Sequence, residues 1–205
     1  QLRAILRTAA SSSSNQISIL FPMISSMEEL LEAKRILAEI KEQMIKEGVS
    51  VPEKLRIGMM VEVPSVAIMA GIYAKEVDFF AIGSNDLVQY TLAVDRTNPK
   101  VTHLYKPTNP AVLYLIKNVV EAAEKNKIGV CICGEIAGDI KYTLMLLGLG
   151  LRELSMNSVL IPAVESIIRN ISFSEAQKLI KPLLSMKSST EIEAELNKLN
   201  NKLGL

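Results

Sequence analysis

The chain is poor in the residues that build several common kinds of site. Its 205 residues include one histidine, two cysteines and no tryptophan, and 23 basic side chains nearly balance 22 acidic ones. One histidine and one C-x-C pair are too few ligands for a structural zinc site, and no basic stripe offers the footprint of a nucleic-acid-binding protein. No apolar run is long enough to cross a bilayer. We therefore expect a cytoplasmic protein that binds no nucleic acid and does not insert into membranes.

The two cysteines stand close together, at Cys131 and Cys133. We expect their side chains to point to opposite faces of one strand and to remain free thiols, because a disulfide needs its two β-carbons about 4 Å apart. Free thiols are typical of a reducing compartment. With 49% apolar residues, a chain of this length can bury a sizeable core and is expected to be globular.

Short apolar runs bounded by turn-forming residues predict five strands, at residues 17–23, 57–63, 79–84, 129–133 and 153–157. Their apolar residues are continuous rather than alternating, which is typical of parallel strands covered on both faces. Segments of helical periodicity lie between them, at residues 27–47, 111–125 and 140–147. Strands that alternate with helices indicate an α/β fold made of βα units.

Only helices are predicted after the fifth strand, at residues 161–169, 174–184 and 191–203. Three helices are expected to open with a capping pair, formed by Ser26 and Glu29, Ser172 and Glu175, and Thr190 and Glu193. We expect a single domain over residues 1–205 that ends in terminal helices at 171–205. The chain begins within a predicted helix at residues 1–7, followed by a flexible serine connection at 11–14, so we expect it to be a fragment of a longer protein.

Polar side chains lie at the carboxyl ends of three of the predicted strands. Glu62 comes at the end of the second strand, Asn85 and Asp86 follow the third, and Cys133 ends the fourth. The carboxyl ends of parallel strands meet at one rim, where α/β folds keep their chemistry. Two carboxylates on neighbouring strands suit Mg²⁺, which leaves its other positions to water and phosphate. The pattern predicts a metal-and-phosphate site at this rim.

Simpler interpretations stay open for each residue taken alone. Glu62 could pair with a helix amide, and Asn85-Asp86 could cap the helix that follows. Arg96 could be a surface residue or an ion-pair partner of the aspartate before it. Cys133 could be a buried small apolar residue, which is the usual state of a free cysteine.

Four ordered motifs carry a resemblance to a known family. They are GMMVEVPS at residues 58–65, VDFFAIGSNDL at 77–87, QYTLAVDR at 89–96 and CGEIAGD at 133–139. Together they closely resemble the phosphoenolpyruvate-binding domain of the phosphoenolpyruvate-protein phosphotransferases, the enzyme I family of the bacterial sugar phosphotransferase system. Pyruvate phosphate dikinase and phosphoenolpyruvate synthase share this fold, but the motif at 89–96 is more similar to the phosphotransferases.

The resemblance implies a (β/α)8 TIM-type barrel, of which this chain supplies about the last five strands and the carboxyl-terminal helices. It also implies a role for each candidate residue. Glu62 and Asp86 would hold Mg²⁺, Asn85 would contact the phosphoryl group, Arg96 would neutralise charge on phosphoenolpyruvate, and Cys133 would protonate its methylene carbon. The parent enzyme would transfer the phosphoryl group to a protein histidine, release pyruvate and so start sugar uptake.

Several parts that the resemblance implies have no counterpart in the sequence. The additional arginines of the earlier barrel strands are absent, and His103 does not match the histidine that accepts the phosphoryl group. That histidine belongs to a separate amino-terminal domain, which passes the group to a small phosphocarrier protein. Ser84 replaces the threonine usual before Asn-Asp. We therefore expect an inactive fragment of a homodimeric enzyme; the alternatives are a fragment of a dikinase or synthase, or a non-catalytic dimerisation module.

Overall fold

A parallel five-stranded sheet forms the centre of the molecule. The computed structural model describes residues 1–11 and 17–204, and its strands pair in the order in which they occur along the chain. They are β1 Ser18–Phe21, β2 Arg56–Val61, β3 Phe79–Gly83, β4 Gly129–Cys133 and β5 Glu153–Leu154. All five predicted strands are present, and β5 is shorter than predicted because only Cys131 and Ile132 of β4 pair with it.

Eleven α-helices occur within the described residues. They are α1 Leu2–Ser11, α2 Met27–Lys46, α3 Pro64–Ile68, α4 Ala70–Tyr73, α5 Ser84–Leu92, α6 Pro110–Asn126, α7 Glu135–Gly138, α8 Ile140–Leu149, α9 Ile161–Arg169, α10 Phe173–Ile180 and α11 Ser189–Leu203. Short 3₁₀ helices occur at Thr102–Leu104, Ser158–Leu160 and Lys181–Ser185. The long helices lie where helical periodicity predicts them, whereas α3, α4 and α7 have too few turns to show a period. None of the described helices is both long and apolar enough to cross a membrane.

The two faces of the sheet differ in their cover. One face presents fully buried side chains such as Met59, Phe80 and Ile132, which belong to the main apolar core. The same core contains side chains of the terminal helices, including Ile180 of α10 and Leu196 of α11. The prediction is of strands covered on both faces; within the described residues the large core lies on this face only.

The second face mixes buried residues, such as Ala81 and Gly83, with half-exposed ones, such as Cys131 and Cys133. Its members pair in register, for example Ala81 with Cys131 and Gly83 with Cys133. Both cysteines are free thiols and both lie on this face. The prediction that they point to opposite faces is wrong, because residues two positions apart on a strand share a face.

Two of the three predicted capping pairs are present. The hydroxyl of Ser26 accepts from the amide of Glu29 in a full capping box, and Ser172 accepts from Glu175. The third prediction is wrong, since Ser188, not Thr190, caps α11. Ser188 has the extended backbone that a capping residue needs, and Thr190 already lies inside the helix. The predicted flexible connection at 11–14 begins with Ser11, the last residue of α1, and its remainder lies outside the described residues.

Candidate functional site

The predicted site residues lie at the carboxyl ends of three adjacent strands. Glu62 directly follows β2, Asn85 and Asp86 lie in the first turn of α5 after β3, and Cys133 is the last residue of β4. Because β2, β3 and β4 are neighbours in the parallel sheet, these ends meet at one rim, as the sequence predicts.

Glu62 is a buried carboxylate held by a backbone amide. Its side chain is 3% exposed, and its Oε1 atom accepts a hydrogen bond of 2.7 Å from the amide of Met23. Met23 adopts a left-handed backbone with φ of 54°, a strained conformation for a residue with a side chain. Burial raises the pKa of Glu62 above its ordinary value, and the negative charge of Asp86 raises it further, while the Met23 bond lowers it. The two carboxylates are therefore close enough to repel each other.

Asp86 supplies a second carboxylate, half-buried at the rim. Within residues 1–11 and 17–204, Asp86 forms neither a hydrogen bond nor a salt bridge through its side chain, and Glu62 uses only Oε1. Two repelling carboxylates with free oxygen atoms fit a divalent cation, and Mg²⁺ is commonly held by one or two carboxylates with water and phosphate. No group of three or more His, Cys, Asp or Glu side chains is placed to hold a metal ion in the same part of the chain. The donor set fits Mg²⁺ with other ligands and does not form an all-protein cage.

Asn85 joins three segments and does not cap α5. The N-cap position belongs to Gly83, which makes no side-chain bond, so the simpler interpretation of Asn85-Asp86 as a helix cap is wrong. The Oδ1 atom of Asn85 accepts from the amide of Glu135 at 3.0 Å, and its backbone oxygen accepts from the hydroxyl of Tyr105 at 3.2 Å. Since Oδ1 is engaged, the amide orientation is set by this bond. The Nδ2 group, which has no partner among the described residues, is left to donate to an anion.

Gly134 allows the segments after β3 and β4 to approach closely. Its φ of 95° is in the range that favours glycine, and a β-carbon there would lie 2.3 Å from Ser84 Oγ and 2.8 Å from Asn85 Oδ1. Ser84 Oγ donates a bond of 2.6 Å to the backbone oxygen of Cys133. A side chain at position 134 would therefore push apart the segments that carry Asn85 and Cys133.

Cys133 presents a half-buried thiol at the rim. Its Sγ atom lies 3.4 Å from the backbone oxygen of Ile82, to which it can donate. Burial raises the pKa of this thiol above its ordinary value, and the negative charges of Glu62 and Asp86 raise it further. The thiol therefore stays protonated at neutral pH. Such a group suits the role of proton donor better than that of nucleophile.

Arg96 lies in the loop between α5 and α6. Its Nη1 atom is 3.6 Å from Glu135 Oε1, so its ion-pair partner is Glu135 and not Asp95. A cavity of about 320 Å³ is lined by five residues: Arg96, Thr97, Thr102, Tyr105 and Glu135. Burial raises the pKa of Tyr105 to about 12, a shift that nearby Arg96 opposes and Glu135 increases. The phenol remains a neutral hydrogen-bond donor beside the guanidinium group.

Sequence reasoning missed two residues of this site. Tyr105 gave no signal beyond being an aromatic residue in a polar loop, and Glu135 was visible only as part of the motif at 133–139. His103 is exposed on the 3₁₀ helix Thr102–Leu104. Glu62, Asn85, Asp86, Arg96 and Cys133 all stay predictions as functional residues.

A comparison with family models matches residues 1–173 to the family described as "PEP-utilising enzyme, PEP-binding domain". The match contains all five strands and every candidate residue named above, and it ends at the first residue of α10.

Curated relatives are similar over nearly the whole chain. One from Haemophilus influenzae is 45% identical over 193 residues, covering 94% of this chain and 33% of its own length. One from Bacillus subtilis is 48% identical over 194 residues, covering 95% of this chain and 34% of its own. One from Buchnera aphidicola is 48% identical over 198 residues, covering 97% of this chain and 34% of its own. All three are named phosphoenolpyruvate-protein phosphotransferase, which favours that resemblance over a dikinase or synthase. The chain spans about a third of the length of these relatives.

A solved structure supports the fold. The crystal structure of a citrate lyase from Burkholderia xenovorans aligns with 99% of this chain and 68% of its own, with a TM-score of 0.56 and 15% identity. At that identity the likeness concerns the α/β architecture alone.

Proposed function

Because the chain belongs to the family of phosphoenolpyruvate-binding domains of PEP-utilising enzymes, we propose that it is the substrate-binding part of a phosphoenolpyruvate-protein phosphotransferase. The observation that carries the proposal is the rim where the ends of three adjacent strands bring Glu62, Asp86 and Cys133 together, so that the negative charge of Asp86 raises the pKa of Glu62 and both carboxylates raise the pKa of the Cys133 thiol. Two carboxylates for a cation and a protonated thiol on one rim are what the conversion of phosphoenolpyruvate to pyruvate requires.

Glu62 and Asp86 are proposed to hold Mg²⁺. Their free oxygen atoms and mutual repulsion support this role, since a cation would relieve the repulsion. When bound, Mg²⁺ would neutralise negative charge on the phosphoryl oxygens, which is the main task of a phosphoryl-transfer site. The part-buried hydrogen bond from the Met23 amide fixes the Glu62 side chain before any ligand arrives.

Cys133 is proposed to deliver the proton that turns enolpyruvate into pyruvate. When the phosphoryl group passes to the acceptor histidine, the electron pair of the broken O–P bond stays on the enolate oxygen. That pair then re-forms the carbonyl while the C=C π electrons take a proton from the Cys133 thiol, which is left as a thiolate. A general acid must be protonated at the working pH. The raised pKa of Cys133 meets that condition.

Asn85 and Arg96 are proposed to bind the anionic groups of phosphoenolpyruvate. The Nδ2 group of Asn85 is oriented by the Glu135 bond to its Oδ1 atom, and can donate to a phosphoryl oxygen. Arg96 lines a cavity that Glu135 also lines, and the two side chains form an ion pair. A guanidinium group can bind two oxygens of a phosphate or carboxylate at once.

The sheet is proposed to be part of a (β/α)8 barrel. A large core on one face, with small residues such as Ala81 and Cys131 on the other, is the pattern expected of a barrel wall with helices outside. Further strands and the phosphohistidine domain would belong to the longer protein, whose partner would be the phosphocarrier protein. We also propose a homodimer in the cytoplasm, a single domain over residues 1–205 and terminal helices at 171–205 that complete it.

Calorimetric titration of the 205-residue chain with phosphoenolpyruvate, with and without Mg²⁺, tests the proposal. We expect binding that requires the metal and is lost in Glu62→Gln. Glu42→Gln is a matched control, because Glu42 is exposed on α2 and makes no hydrogen bond within the described part. Failure of the unaltered chain to bind would contradict the proposal and favour the alternative of a dimerisation module. That module should instead show stability that depends on protein concentration and ignores both ligands.

A further inference from the structure

The backbone of Arg96 is fixed from both sides, although the residue lies in a loop. Its amide donates to Gln89 Oε1 of α5 at 3.2 Å, and its carbonyl oxygen accepts from Thr102 Oγ1 at 3.1 Å. The preceding residue, Asp95, accepts through Oδ1 from both the amide and the hydroxyl of Thr97. The position of the guanidinium group therefore depends on side chains within the loop and on α5.

Tyr105 connects this loop to the rim. Its hydroxyl donates to the backbone oxygen of Asn85 at 3.2 Å, and its half-buried ring lines the cavity that Arg96 also lines. Asn85 in turn accepts from the amide of Glu135. One phenol thus joins the segment that carries Arg96 to the segment that carries Asn85.

The far end of the same loop is attached to the last helix. Thr108 is 0% exposed, and its hydroxyl donates to Glu193 Oε1 of α11 at 3.0 Å. Helix α11 lies beyond residue 173, where the family match ends. The loop is therefore held at the rim by Tyr105 and on the outer side by Glu193.

We propose that Tyr105 is a positioning residue that holds Arg96 and Asn85 at a fixed separation. The inference rests on the proposed function, in which both residues contact the substrate anion. Phosphoryl transfer depends mainly on positioning and charge, and small displacements of a binding group are costly. Removing the phenol hydroxyl changes no charge, so its effect on binding would come from lost positioning.

Hydrogen exchange in the ligand-free chain tests whether the hydroxyl holds the loop. We expect amides of residues 94–104 to exchange about three- to tenfold faster in Tyr105→Phe, as loss of one hydrogen bond implies, with α6 unchanged. Tyr114→Phe is the matched control, because that phenol is 69% exposed. Thr108→Val, which removes the bond to Glu193, should loosen the same segment. Unchanged exchange of the loop in Tyr105→Phe would overturn the proposal.

Titration with phosphoenolpyruvate and Mg²⁺ then tests the consequence for the site. Tyr105→Phe should weaken phosphoenolpyruvate binding by about three- to tenfold. The effect should be smaller in an Arg96→Lys background, because the guanidinium group that Tyr105 positions is already absent there. Equal effects in both backgrounds would show that Tyr105 acts independently of Arg96 and would overturn the positioning role. If the unaltered chain does not bind phosphoenolpyruvate but hydrogen exchange of residues 94–104 still becomes faster in Tyr105→Phe, then Tyr105 does hold the loop in place. In that case only the proposed function fails.

Discussion

Replacement of Gly134 by alanine should destabilise the chain through two separate effects. The backbone of Gly134, with φ of 95° and ψ of −176°, is a conformation that almost only glycine adopts, and it costs a residue with a side chain about 1–3 kcal/mol. The new β-carbon would lie 2.3 Å from Ser84 Oγ, and overpacking of this kind costs about 1–3 kcal/mol. We therefore expect Gly134→Ala to lower the free energy of unfolding by about 2–6 kcal/mol.

Urea unfolding measures this loss, and Gly71→Ala is the matched control. Gly71 lies within α4, and a β-carbon there would meet no atom within 4 Å, so its replacement should raise stability by about 0.5–1 kcal/mol. Removing the nearest obstacle in a Ser84→Ala/Gly134→Ala double variant should recover part of the overpacking cost and none of the backbone strain. A free energy of unfolding for Gly134→Ala within about 1 kcal/mol of that of the unaltered chain would refute the claim that a β-carbon at position 134 clashes with Ser84.

Three further predictions concern the rim. At neutral pH without metal, Glu62→Gln should not lower the free energy of unfolding. The folded-state pKa of Glu62 is raised, so this buried carboxyl group contributes stability at low pH and loses that contribution as pH rises. A large loss of stability in thermal unfolding of the variant would contradict this. Asn85→Asp should keep the bond to the Glu135 amide and the fold, yet abolish phosphoenolpyruvate binding in calorimetry by adding negative charge; unchanged affinity would remove Asn85 from the site. The Cys133 thiol should react slowly with iodoacetamide at neutral pH. Its contribution to stability should be lost as pH rises above about 8.5 and through its raised folded-state pKa. Cys133→Ser should remove that part of the alkaline loss of stability; an unchanged alkaline pH profile of unfolding would argue against a raised thiol pKa.

The strands and the long helices could be predicted because hydrophobic periodicity is a local property. β3 and β4 are short apolar runs between turn residues, and α2 has a full capping box written in Ser26 and Glu29. The error in the cap of α11 has a physical cause. The spacing of Thr190 and Glu193 predicts a cap at Thr190, but Ser188 and Glu191 have the same spacing, and only backbone geometry decides that Ser188 is the cap.

The hydrogen bonds of the site could not be predicted in the same way. The position of Asn85 allows a helix cap and the resemblance implies a phosphoryl ligand, but neither predicts that its Oδ1 atom accepts from the amide of Glu135, 50 residues away. Tyr105 reaches Asn85 across 20 residues of chain. Such pairs depend on how closely two loops approach, and no periodic pattern encodes that distance.

The sequence by itself determined which residues stand at the ends of strands, since alternating strands and helices place Glu62, Asp86 and Cys133 on one rim of any parallel sheet. Only the tertiary structure decided which of their atoms form hydrogen bonds and in which direction the pKa values of Glu62 and Cys133 are shifted. Burial and the approach of Asp86 raise the pKa of Glu62, and burial beside both carboxylates keeps the Cys133 thiol protonated. These effects depend on distance and on exclusion of water, which exist only once the strands have come together.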